Sequence, residues 1–440
     1  MSDIILPYNW KPRSYQLPAW CYMEGPEEGK RAVLVWHRRA GKDLFAINLC
    51  ATKMYERVGT YWHVLPTYKQ GRKIVWDGFT RDGRKFRSHF PPELVMGENS
   101  AEMKVTLKNG AIYQVVGTDD VDSLVGTNPV GCVFSEYSLQ DPAAWDYIRP
   151  ILAENGGWAV FIFTMRGKNH GFKLLKMAEQ NPTWFAQTLV AGNNGTRRED
   201  GRPVISDDII EDERRSGMEE AMIQQEFYCS AEAPLVGAYY GHQMAKALEE
   251  GRITQVPWEP TIPVNTAWDL GMNDSMSIWM FQQVGYEIRI IDFYENSGEG
   301  LAHYVKVLKE KEYVYGAHYA PHDIEVRELG TGKSRRETAR TLGVNFRVVG
   351  QHEVLDGIDA VRNILPRCWF DYKRCERGVE AMRSYRKEYD EVRKVFKNSP
   401  EHDWSSHPAD AFRTLAMGIR LVKKDGKRQE TAEDQHDYLR

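Results

Sequence analysis

The chain has 440 residues, enough for two or three domains with separate cores. With 42% hydrophobic and 27% charged residues and no long low-complexity tract, a disordered body is excluded, and no run reaches the ~18 consecutive apolar residues of a membrane-spanning helix. A net charge of −4 hides basic clusters such as "KQGRK", "RDGRKFRSH", "KSRRETAR" and "RSYRKEYDEVRKVFK", so a nucleic-acid partner is neither required nor excluded.

The start, "MSDIILPYNWKPRSYQ", lacks an apolar leader and cleavage site, which predicts a cytoplasmic protein. The six cysteines, Cys21, Cys50, Cys132, Cys229, Cys368 and Cys375, form no CxxC pair; reduced, mostly buried thiols are expected rather than zinc ligands or disulfides.

From 31 to about 190, short apolar runs alternate with helical or polar stretches: "RAVLVW", "TYWHVLP", "VTLKNGAIYQVVG", "PVGCVFSE", "GGWAVFIFT". That alternation predicts an α/β sheet. The first run leads into "HRRAGKD", where Gly41 and Lys42 precede the helical "LFAINLCATKMY". Backbone N–H groups at a helix start, with a lysine beside them, make a phosphate-binding loop. The usual G-x-x-x-x-G-K-[ST] spacing, however, finds Trp36 at its first glycine and Asp43 at its hydroxyl. About 95 residues on, "VGCVFSE" ends in Ser135 and Glu136, where such folds place the acids that hold magnesium and polarise water. The next run ends in Thr164, Arg166 and Lys168, so several polar strand ends are expected along one sheet edge.

The stretch "IIEDERRSGMEEAMIQQEFYCS" reads as helical, and Pro/Gly-punctuated residues 236–262 read as a linker. Beyond it, "VNTAWDLGMNDSMSIWMFQQVGYEIRIIDFYEN" has the pattern of an antiparallel meander, followed by a helix at "GLAHYVKVLKEK", a strand at "YGAHYAPHD" and a helix at "EVLDGIDAVRNIL". Asp269 ends the first strand, Asp323 follows a later one, and Asp410 opens a helix in "SSHPADAFRTLAMG". Three such carboxylates converging form the acidic cluster of an RNase H-like fold, in which two divalent ions ~4 Å apart cleave phosphodiesters. Aspartates suit Mg²⁺ or Mn²⁺ rather than zinc. Asp403, His402 and His407 lie near enough to assist, with loop hydrogen bonding the plainer role for the histidines; Asp274 and Asp292 read as solvated turn or strand-end acids. The basic stretches 327–340 and 383–397 could track phosphates, although solvated helix faces explain most of them.

These motifs together resemble the large terminase subunit of tailed bacteriophages, an ATP-driven DNA-packaging motor with a fused nuclease, over nearly the whole chain. The resemblance implies a P-loop (RecA/ASCE-like) ATPase domain at 1–235 and an RNase H-like mixed-sheet nuclease domain at 263–422; the polar composition of 423–440 predicts a disordered tail. "YNWKPRSYQ" resembles the adenine-recognising motif, carried by Tyr8, Arg13 and Gln16. "HRRAGKD" resembles a variant Walker A in which Lys42 contacts the β- and γ-phosphates beside Gly41 and Arg38 or Arg39 neutralises them. "VFSEYS" resembles a Walker B with Glu136 orienting the attacking water and Ser135 in place of an aspartate, which Asp43 could offset as a Mg²⁺ ligand. "FTMRGKNHGF" resembles the coupling motif, where a proline is expected at Met165. Related chains often carry an arginine at Val125, so Arg149 and Arg166 stand as substitutes for a trans-acting finger. Asp269, Asp323 and Asp410 match the family's nuclease acids.

The implied cofactors are ATP and Mg²⁺, with Mn²⁺ possible at the nuclease site. The implied partners are double-stranded DNA, the portal protein, the small terminase subunit and further copies in a ring, without a membrane, in the host cell cytoplasm. Two alternatives are a helicase or repair ATPase with a fused nuclease, which would need a second RecA-like sheet, and a non-enzymatic DNA- or capsid-binding protein with degenerate sites.

Overall fold

The computed structural model describes residues 5–119, 126–232, 235–271, 275–326, 333–390 and 395–433. Val125 and Asp274, the 327–332 part of the first basic stretch and residues 434–440 lie outside them. The chain divides into two units, Met1–Val236 and Gly237–Arg440.

The first unit has strands β1 (Arg31–Trp36), β2 (Thr60–Leu65), β3 (Val95–Asn99), β4 (Lys104–Leu107), β5 (Ile112–Gly117), β6 (Pro129–Ser135), β7 (Trp158–Phe163) and β8 (Trp184–Leu189). Its helices are α1 (Leu17–Glu24), α2 (Lys42–Glu56), α3 (Tyr68–Gly71), α4 (Ala143–Glu154), α5 (His170–Gln180), α6 (Asp207–Arg215) and α7 (Glu220–Glu226). The strands form one sheet in the order β3-β4-β5-β2-β6-β7-β1-β8, parallel from β5 to β8, with an antiparallel β3-β4-β5 end. Every β1 residue is buried: Ala32, Leu34 and Trp36 pack on one face of the sheet, Val33 and Val35 on the other. A strand covered on both faces reads as an unbroken apolar run, as "RAVLVW" does.

Two features escape the apolar-run reading. β8 is an edge strand of half-buried residues. The stretch expected as one helix is two, α6 and α7, broken at Gly217, whose φ of 96° is outside the helical range.

The second unit has β9 (Ile253–Thr254), β10 (Val264–Asp269), β11 (Met276–Val284), β12 (Glu287–Asn296), β13 (Tyr315–Ala320), β14 (Phe346–Val348) and β15 (Cys368–Asp371) in the order β14-β13-β10-β11-β12-β15-β9. A hairpin of β16 (Lys387–Asp390) and β17 (Val395–Pro400) stands apart from this sheet. Its helices are α8 (Gly241–Glu249), α9 (Leu301–Glu310), α10 (Arg335–Thr341), α11 (Val354–Ile364), α12 (Glu376–Ser384) and α13 (Ser406–Glu433). The expected meander is β10-β11-β12, antiparallel throughout, so this sheet is not the second parallel motor sheet that a helicase would need.

Residues 236–262 are not a free linker. Tyr239, Tyr240 and Met244 are buried in the second unit's core, and β9 pairs with β15. The Pro/Gly punctuation marks turns between short packed elements rather than an unpacked connection. The segment 423–440, expected as a disordered tail, continues α13 as far as Glu433. Asp292, expected as a solvated acid, is instead 6% exposed and paired with Lys311 at 2.7 Å. Among the described residues no helix is long and apolar enough to cross a membrane. Five of the six cysteines are buried and Cys21 is exposed; all are free thiols.

Trp279 anchors the start of α13. It is fully buried, and its Nε1 donates to the Pro408 carbonyl at 2.8 Å. Gly378 of α12 lies against the indole so closely that a Cβ would overlap the ring. Replacing a helical glycine by alanine ordinarily stabilises by about 1 kcal/mol. Here overpacking dominates, so Gly378→Ala is expected to destabilise the second unit by about 1–3 kcal/mol. Urea unfolding checks the sign: a stabilised variant would mean the indole yields freely.

Candidate active sites

In the first unit, β6, β7 and β1 are parallel neighbours, so their carboxyl ends open on one edge of the sheet. Beyond β1 the backbone turns sharply, with Arg39 at φ 71° and Gly41 at φ 82° in the left-handed region. Gly41 caps the N-terminus of α2, which leaves the first-turn N–H groups facing the loop. Trp36 is a core residue, fully buried, with Nε1 donating to Gln187 Oε1 at 3.1 Å and its ring edge-on to Phe45. The loop thus starts one residue later than the glycine-rich spacing would place it.

Lys42 is 7% exposed; its Nζ donates to the Trp36 carbonyl at 3.1 Å and lies 3.5 Å from Glu136 Oε1. Glu136 itself sits in the left-handed region, φ 56°, just past β6. A non-glycine residue held there costs on the order of 1–3 kcal/mol. The strain turns the side chain back over the sheet edge, where Thr164 Oγ1, beyond β7, lies 3.4 Å from Glu136 Oε2. Asp43 accepts a 2.6 Å hydrogen bond from Ser135 Oγ and faces His63 Nε2 at 3.5 Å. Burial works against the charged form of Asp43, but His63, Ser135 and Lys42 outweigh it and hold its pKa below the usual aspartate value.

Arg38 and Arg39 are exposed; Arg39 makes no ion pair among the described residues. Gln16 is 2% exposed, and its Nε2 donates to the Ala40 carbonyl at 2.9 Å, with the Tyr15 hydroxyl on the same oxygen at 3.1 Å. Arg13 bonds to Tyr15 and, through its backbone N–H, to Gln16 Oε1. Tyr8 lies apart from that network, under the Arg84 guanidinium at 3.9 Å. Met165, at the position where the resemblance implies a proline, is buried, Lys168 pairs with Glu232 at the surface, and Arg149 is exposed on α4.

Glu226, at the end of α7, is a site residue that the sequence does not signal. A glutamate in an acidic helix gives no sign of burial, yet it is 7% exposed, 2.5 Å from Arg166 and 3.9 Å from Arg38. Its backbone carbonyl also accepts the Arg38 N–H at 2.8 Å. Burial raises its pKa, and Arg166, Arg38 and Lys42 more than reverse this, so the net shift is downward. Arg166 is therefore an internal ion-pair partner at this edge.

In the second unit, Asp269 ends β10, Asp323 lies in the short 3₁₀ turn after β13, which is parallel to β10, and Asp410 lies in the first turns of α13. His407 Nδ1 is 2.8 Å from Asp269 Oδ2, and Arg413 Nη2 is 2.7 Å from Asp410 Oδ1. Burial pushes Asp410 up to about 7, with Arg413 and His407 opposing and Asp269 adding to the shift. Asp323 is raised by burial and then by Asp269, with Arg335 opposing. Asp269 therefore acts electrostatically on both Asp323 and Asp410.

Asp323 Oδ1 is buried without a hydrogen-bond partner. Among the described residues no three His, Cys, Asp or Glu side chains form a ready-made metal cage. An orphaned buried oxygen on Asp323, in the field of Asp269, which also acts on Asp410, fits a hard divalent cation that would draw the carboxylates together. Asp403 is committed elsewhere: it pairs with Arg386 at 2.7 Å and accepts from Ser405 at the start of α13. His402 stacks edge-on against His407. Of the basic stretches, Arg335 donates to the Leu270 carbonyl next to Asp269, whereas Arg336, Arg383 and Lys397 are tied into ion pairs.

No family model matches the chain. It is 22% identical over 393 residues to the large terminase subunit of Escherichia phage T5, covering 86% of this chain and 84% of that protein. Similar solved structures include the large terminase of a thermophilic bacteriophage in complex with ADP, 15% identical, covering 92% and 98% of the two chains at a TM-score of 0.40. Another is the large terminase nuclease domain of bacteriophage SPP1 with bound Mn, 15% identical, covering 36% and 86% at a TM-score of 0.29.

Glu226→Gln is expected to destabilise the first unit by about 3 kcal/mol near neutral pH, because it removes the charge partner of the largely buried Arg166 guanidinium. A folded-state pKa below the ordinary 4.5 means that Glu226 stabilises above that value and loses its contribution as pH falls through the folded pKa. The difference between wild type and variant in thermal unfolding should therefore shrink below about pH 4; a difference independent of pH would contradict the ion-pair role.

Proposed function

We propose that this chain, which resembles a large terminase subunit over most of its length, is the ATP-hydrolysing motor and endonuclease of a phage DNA-packaging machine. The observation that carries the motor half is the meeting of Lys42 and Glu136 at 3.5 Å across strand ends, with arginines beside them.

In this reading the γ-phosphate of ATP takes over the Lys42 ammonium, which Glu136 now partly neutralises. The first-turn N–H groups of α2 and the exposed Arg38 and Arg39 complete the anion site. Glu136, released from Lys42, orients a water for in-line attack, with Thr164 beside its second oxygen. Gln16 and Tyr15 hold the Ala40 carbonyl, so nucleotide contact at Gln16 is felt directly by the loop. Mg²⁺ is the expected metal partner of the nucleotide. Arg166 is engaged with Glu226, which supports a part in setting the charge at this edge more than a free trans-acting finger.

Asp269, Asp323 and Asp410 would hold divalent metal, Mg²⁺ or Mn²⁺, which supplies an activated water and stabilises the leaving oxygen of a phosphodiester. His407 orients Asp269, and Arg413 and Arg335 balance the acidic charge from the protein side. The partners proposed are double-stranded DNA, the portal and the small terminase subunit, with several copies acting together in the host cytoplasm.

Glu136→Gln should retain ATP binding and lose about 100-fold or more in hydrolysis; unchanged turnover would place the water-orienting group elsewhere. Asp269→Asn should abolish DNA cleavage in Mg²⁺ or Mn²⁺ with ATP hydrolysis unchanged. Loss of both activities together would contradict two separate sites.

A further inference from the structure

In a phosphate-loop enzyme the residue after the loop lysine is a serine or threonine, and an aspartate ends the acidic strand; the hydroxyl and the carboxylate both serve the nucleotide's magnesium. Here the residue after Lys42 is Asp43, and the residue before Glu136 is Ser135. Neither departure is an isolated loss. The two side chains meet, with Ser135 Oγ donating to Asp43 Oδ1 at 2.6 Å.

We propose that Asp43 and Ser135 have exchanged roles: the carboxylate that serves the nucleotide's divalent ion comes from α2, and the hydroxyl that supports it comes from β6. The exchange keeps one carboxylate and one hydroxyl at the site, hence the same formal charge. It rests on the phosphate-loop reading of Lys42 and Glu136.

A second, independent feature marks the site as built around Asp43. His63 of β2 is fully buried, its Nδ1 bonded to the Tyr113 hydroxyl at 2.9 Å. Its Nε2 has no hydrogen-bond partner and faces Asp43 Oδ1 at 3.5 Å. A buried imidazole aimed at the first turn of α2 fits an acid there better than a serine. His63 is thus a positioning residue for Asp43, held on the floor of the site by Tyr113.

Exchange makes a prediction that simple loss does not. Asp43→Ser leaves two hydroxyls and no carboxylate, and Ser135→Asp sets two carboxylates against each other. Each single change should weaken the Mg²⁺-dependent part of ATP-γ-S binding by about tenfold or more. The double change D43S/S135D restores the ordinary order and should recover most of that affinity.

The measurement is calorimetric titration of ATP-γ-S into the full chain, with Mg²⁺ and with EDTA, for wild type, both single variants and the double. Asp43→Asn serves as a near-isosteric comparison, expected to lose the gain in affinity that Mg²⁺ gives wild type. Thermal unfolding of each variant identifies any that is not folded. A double variant as weak as the poorer single one, or an Asp43→Asn variant that keeps the full gain from Mg²⁺, would overturn the exchange. If wild type binds ATP-γ-S under neither condition, the phosphate-loop reading fails and the exchange with it.

Discussion

A lysine ammonium that is almost wholly buried must be met by oxygen, and this requirement organises the first unit. Lys42 can lie where it does only because the Trp36 carbonyl and Glu136 receive it. That in turn needs β1 and β6 to end at the same edge, with β7 between them in parallel register. The strained backbone at Glu136 and the left-handed turn at Arg39 and Gly41 are the local cost of pointing these groups at one spot. Under the proposed function, the interaction is one that a phosphate would replace, which would turn a packing solution into a response to nucleotide.

The second unit solves the opposite problem. Asp269 repels both Asp323 and Asp410, and the protein answers with His407 on Asp269, Arg413 on Asp410 and Arg335 near Asp323. These groups surround the cluster without closing it, and Asp323 Oδ1 stays buried and unbonded. Placement comes from the sheet: β10 and β13 run parallel, so Asp269 and Asp323 follow the same ends of neighbouring strands. The Trp279 bond to the Pro408 carbonyl then fixes the turn of α13 that carries Asp410.

Much of this is legible in the chain. The apolar runs anticipate β1, β2, β6 and β7 because strands buried on both faces carry uninterrupted signal, and the β10-β11-β12 meander is marked by its turns. Less legible is whatever depends on partners distant in sequence. Trp36 reads as a broken glycine motif, yet it is the last residue of a buried strand. Glu226 reads as one more helical acid, and only folding brings it to Arg166. His63 gives no signal, since a histidine inside an apolar strand announces nothing about what it faces. The segment 236–262 misleads because turn residues punctuate packed elements as readily as linkers.

The central claim is that one chain carries two chemically independent sites for phosphate chemistry. Its most direct test is a crystal structure with ATP-γ-S and Mn²⁺, the metal located by anomalous scattering. The claim predicts the γ-thiophosphate on Lys42 with manganese beside it, and separate manganese among Asp269, Asp323 and Asp410. Nucleotide bound away from Lys42, or no manganese at the three aspartates, would contradict it.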